Sequence, residues 1–164
     1  MIADPARRGR ALAELYRTLG PRLFHDLEGA NVLPPGAEAR RRAEEEWECF
    51  ALYACVRGLL AAGGFNRETG IAIDAFHAEA VGEVARDAQD AERRGRVTTR
   101  YAEYGAVGLE GGKSGAATVT RRLGEAAARH IAGSASPPPE LAELVGSLHE
   151  SLAEGAAEAV RQAT

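Results

Sequence analysis

Aromatic residues are scarce: Phe, Tyr and Trp make up 5% of the 164 residues, with a single Trp. A core built on large rings is therefore excluded, and Ala, Leu and Val in close-packed elements must supply the buried surface. Cysteine is nearly absent. Cys49 and Cys55 are the only two, and on one helix their spacing sets them about 9 Å apart along the axis, beyond disulfide reach. A disulfide-stapled scaffold drops out, and buried, inert thiols are expected. The N-terminal stretch Met1 to Arg8 has no apolar signal segment, which with the sparse cysteines reads as a reducing, cytoplasmic setting.

Charge of one sign is lacking too. Twenty basic and twenty-four acidic residues give a net charge of −4, and no third of the chain departs far from balance. This speaks against the basic face that duplex nucleic acid requires. Lysine is almost missing, since every basic residue except Lys113 is Arg; that is read as compositional bias, because Arg content alone does not identify phosphate recognition. Long hydrophobic runs are also missing. The most apolar window, residues 49–65, contains Arg57, Gly58, Gly63 and Gly64 and falls short of the ~20 apolar residues of a membrane span. It reads as a buried core helix, with no membrane association expected.

What the sequence does contain is helical periodicity. Asp4-Pro5 is a helix start, a capping carboxylate followed by a residue preset for the first turn. Leu12, Leu15, Tyr16 and Leu19 follow at helical spacing, Gly20-Pro21 is expected to end or kink that helix, and Leu23, Phe24 and Leu27 carry the stripe on to Gly29. Loops are expected near 31–36, 63–67, 105–115 and 133–139. Between them the pattern predicts a long helix over 37–62, a second over 68–94 interrupted at Gly95, a short element at 97–104 read as helix against some strand propensity, a helix through Val119, Leu123, Ala127 and Ile131, and a C-terminal helix. In the run Arg40-Arg41-Arg42-Ala43-Glu44-Glu45-Glu46 each Arg has a Glu four residues on, so the run should neutralise itself. The fold class expected is all-α, a single-domain bundle of five to six helices whose long central hairpin joins 37–62 to 68–94. Phe50, Tyr53, Ala54, Leu60, Ile73, Phe76 and Val84 are its expected core.

Two constellations could carry chemistry. Gly108 to Ser114 ends in Gly-Lys-Ser ahead of a predicted helix and so resembles an ATPase phosphate loop, but Val107 stands where the first glycine is required and no strand leads in. What survives is an anion site. Gly112, Lys113 and Ser114 at a helix start, with Arg100, Arg121 and Arg122 supplying charge and Tyr101 and Tyr104 supplying rings, could hold a phosphate, a nucleotide or a short single strand. The second constellation is Asp74 and His77, neighbours on one helix face, which with a third ligand such as His25, Glu44 or Glu48 could bind a metal.

Neither motif amounts to a catalytic signature, and no cofactor is implied. The C-terminal helix has a more regular pattern: Leu141, Val145, Leu148, Leu152, Ala156 and Ala159 alternate steps of three and four, a seam able to pack on a partner helix. The function expected is a helical protein-interaction or assembly module, a homo-oligomer or a protein partner joined through that helix. Anion, nucleotide or single-stranded nucleic-acid binding at residues 108–115 is the first alternative. A metal-binding helical-bundle enzyme is the second.

Overall fold

In the computed structural model, which describes residues 4–111 and 115–163, every regular element is an α-helix: α1 (Pro5–Gly29), α2 (Ala37–Gly63), α3 (Arg67–Ala80), α4 (Ala88–Gly111), α5 (Ala116–Ala132) and α6 (Pro139–Gln162). The all-α bundle read from periodicity is thus the observed fold. Its first helix starts as expected, with Asp4 Oδ1 accepting the Ala6 N–H at 3.0 Å and Pro5 in the first turn. Gly20-Pro21 does not end it. The ring of Pro21 faces outward, and the buried Gly20 carbonyl gains a second anchor from Trp47, whose indole N–H donates to it at 2.9 Å. No helix is long and apolar enough to cross a membrane among the described residues.

α2 is the centre of the bundle and touches each of the other helices. Its second half is apolar nearly all round, and Cys49, Phe50, Ala51, Leu52, Ala54 and Cys55 are fully buried. α6 lies along it at a distance that a side chain would prevent: a Cβ on Gly58 would stand 2.5 Å from the Ala156 Cβ and 2.8 Å from the Ala153 carbonyl oxygen. α3 approaches α1 in the same way at Gly9, where a Cβ would run into the Ala72 carbonyl. A chain poor in rings and rich in Ala and Gly makes its core dense by bringing backbones together.

The expected second arm at 68–94 is divided. α3 stops at Ala80, Gly82 takes a φ of +97°, and α4 begins after Asp87, whose Oδ1 accepts the Asp90 N–H at 2.8 Å. Asp90 in turn accepts the Arg86 N–H at 3.0 Å, and Arg94 donates to the Val81 and Gly82 carbonyls that close α3. This stop and restart leave Val84 76% exposed, against the expectation that it is core. The long neighbour of α2 is accordingly α6, while α3 packs chiefly on α1. α4 then runs unbroken through Gly95 and Gly105 as far as Gly111, so 97–104 is helix and the first part of the loop expected over 105–115 is helix as well. Of the other expected core residues, Phe50, Ala54 and Phe76 are fully buried, whereas Tyr53, Leu60 and Ile73 are half-buried.

The few rings gather in one place. His149 of α6 stacks on Phe50 of α2 at 3.8 Å between centroids, and Tyr53, Tyr101 and Tyr104 surround them. His149 Nδ1 lies 3.0 Å from the Phe50 carbonyl oxygen. A carbonyl only accepts, so the hydrogen sits on Nδ1 and the ring is neutral with Nε2 as an unpartnered acceptor. Full burial holds this ring well below the usual histidine value of 6.5, and the positive charge of Arg57 pushes the same way. His77 is lowered as well, chiefly by burial. Above about pH 6.5 both states of the chain carry these rings neutral; below it the unfolded chain takes up protons that the folded one refuses, and for the fully buried His149 stability falls by up to about 1.4 kcal/mol per pH unit. Urea titrations at about pH 7.5 and pH 5.5 should therefore show a loss that is reduced in His149→Gln. Equal stabilities at the two pH values would contradict the assignment.

Candidate functional site

Several of the residues singled out in the sequence are engaged by other side chains of the bundle. Arg100 holds Glu46 through two hydrogen bonds, of 2.8 and 3.0 Å. Arg93 does the same to Glu48, Arg96 lies 3.8 Å from Glu45, and Arg94 pairs with Asp90. The basic stretch of α4 is therefore zipped against the acidic stretch of α2 and presents no free positive face. On α2 itself Arg40 and Arg41 reach Glu44 and Glu45 as expected, but Arg42 instead donates to the Ala132 carbonyl at 3.0 Å, which leaves Glu46 to Arg100.

The rings expected to stack on a ligand are also used internally. Tyr104 is fully buried against Phe50 and Tyr53. Tyr101 packs on Tyr53 and His77, and its hydroxyl meets His77 Nε2 at 2.8 Å. Burial raises both phenols above the ordinary tyrosine value. Gly112, Lys113 and Ser114 lie outside the described residues, and Arg121 and Arg122 are exposed on α5.

Asp74 and His77 share a helix, but Asp74 is exposed while His77 turns inward to Tyr101. No group of three His, Cys, Asp or Glu side chains with metal-binding geometry occurs among the described residues. Cys49 and Cys55 are free and buried as expected, and burial pushes both thiols up to about 12.

The seam of α6 is the instructive case. Leu141, Val145, Leu152 and Ala156 are fully buried, and Leu148 and Ala159 half-buried, within the chain's own bundle. The helices that pack on α6 within the chain are α2, α5 and α1.

What α6 leaves open is its other flank. α5 and α6 form an antiparallel hairpin in which Gly124 and Gly146 stand back to back; a Cβ on Gly124 would be 2.5 Å from the Ala142 carbonyl oxygen. Outside this contact a surface groove of about 750 Å³ runs between the two helices. Its lining includes the small residues Ala117, Ala142 and Gly146, and Pro137 and Pro139 from the turn between the helices.

The walls differ in charge. α5 contributes Arg121, Glu125 and Arg129, and α6 contributes Glu143, Ser147, Glu150, Ser151 and Glu154. Arg121 and Glu125 pair loosely at 4.0 Å. Glu150 accepts hydrogen bonds of 3.0 Å from Arg57 and from the Thr120 hydroxyl, which fixes that wall to the core helix. Arg129, Glu143 and Glu154 have no ion pair among the described residues. Sequence reading missed this groove because small residues and glutamates on an outer flank carry no motif; the one signal was the pair Gly124 and Gly146. Comparison with known proteins adds no relative: no family model matches the chain, and neither a curated protein nor a solved structure matches it.

Proposed function

We propose that the protein is a helical interaction module that receives an α-helix of a partner protein in the groove between α5 and α6. The observation that carries this reading is the groove itself, about 750 Å³, with small residues among its lining. Ala117, Ala142 and Gly146 allow a visiting backbone to come close and bury the apolar face of an amphipathic helix, the recognition mode in which anchors at helical spacing enter a groove between two helices. The rim supplies polar residues that stay wet and set specificity. The buried free thiols suit a reducing compartment, and a cytoplasmic location belongs to the proposal.

A synthetic helical peptide with an Ala/Leu seam flanked by lysines, titrated calorimetrically into the protein, tests the reading. Binding in the micromolar range is expected. It should be lost in Ser147→Trp, which plugs the groove from an exposed position of α6 and leaves the core untouched. Undiminished binding by that variant, at an unchanged melting temperature, would place the contact elsewhere.

A further inference from the structure

Resting on the groove reading, we infer that the helix it takes is basic on one flank, and that this flank lies along α6. The inference comes from how charge is divided between the walls. Glu143, Glu150 and Glu154 stand along α6, spaced by seven and four residues, so they fall on one line facing the visitor. Among the described residues only Glu150 of these three has an ion pair, with Arg57 at 3.0 Å. The α5 wall has the opposite balance, with Arg121 and Arg129 around a single Glu125.

A docked helix thus meets an acidic rail on one side and a weakly basic one on the other. Lysines or arginines on its α6 side complete the open carboxylates, whereas acidic residues there would face an uncompensated row of like charge as the groove dehydrates. A second copy of this chain fits the rule poorly. Its own groove face would bring another set of α6 glutamates to the interface, and a twofold pairing that sets α6 against α6 stacks like charges. The partner is therefore another protein's amphipathic helix with a small-residue seam and a basic flank.

Two synthetic peptides with one Ala/Leu seam, the first flanked by lysines and the second by glutamates, separate this inference from the groove reading. At low salt the lysine peptide should bind at least about tenfold more tightly, and the preference should collapse at about 1 M salt, where the Debye length is about 3 Å. Glu143→Lys combined with Glu154→Lys should reverse the order; both positions are on the surface, so folding is checked by an unchanged melting temperature. Equal affinities, or tighter binding of the glutamate peptide to the natural chain, would overturn the charge inference while leaving the groove in place. Absence of binding by both peptides would overturn the two together. Self-association seen by sedimentation and abolished by Ser147→Trp would assign the groove to a second copy and overturn the inference as well.

Discussion

Phe76→Ala is expected to destabilise the protein by about 3–5 kcal/mol, the cost of deleting a ring that the surrounding structure cannot close over. Phe76 is fully buried on α3 and meets the edge of the Tyr16 ring at 6.1 Å between centroids. Beside it α1 and α3 are already at closest approach through Gly9, so neither helix can move in to fill the space. Phe76→Leu, which retains most of the volume, should lose no more than about 1.5 kcal/mol. Chemical denaturation measures both, and a loss under 1 kcal/mol for the alanine variant would mean that the site is not packed as described.

The second large effect is electrostatic. Arg100→Ala should cost about 3 kcal/mol, because it strands the Glu46 carboxylate, which is only 7% exposed and whose two oxygens both rest on that guanidinium. By contrast Arg41→Ala should change stability by under 1 kcal/mol, since Arg41 and its nearer partner Glu38 stand largely in water and Glu45 is partly exposed. The pair Arg100→Ala with Glu46→Gln isolates the cause: most of the loss should return once the stranded charge is removed. If the double variant is as unstable as the sum of its parts, packing of the Arg100 stem rather than charge holds the two helices.

These two cases also mark what could be read from the sequence. Phe76 lies on a clear stripe with Asp and Glu opposite, so its burial was legible from spacing. The pairing of Arg100 with Glu46 was not. Spacing within α2 pointed Glu46 at Arg42, and only the crossing of α4 over α2 redirects it. The same limit governs the tyrosines, whose neighbouring arginines suggested a ligand platform when read along the chain; packed, the rings serve the core and the arginines face glutamates. Gly82 and the Asp87-x-x-Asp90 start were visible signals for ending one helix and beginning another, but the continuous apolar stripe through Val84 outweighed them. On α6 the seam was read as a demand for a partner helix supplied by another protein or a second copy. That the demand is met inside the chain, and that the opposite flank is the open one, depends on how α5 and α6 pair in space.

The groove between α5 and α6 is where a partner helix is proposed to bind. Its most direct test is nuclear magnetic resonance mapping of the isotopically labelled chain during titration with the lysine-flanked peptide. Amide shifts should concentrate in residues 117–129 of α5 and 142–154 of α6, with α1 and α3 unperturbed. Shifts centred on α1 and α3, or a spectrum unchanged at saturating peptide, would contradict it.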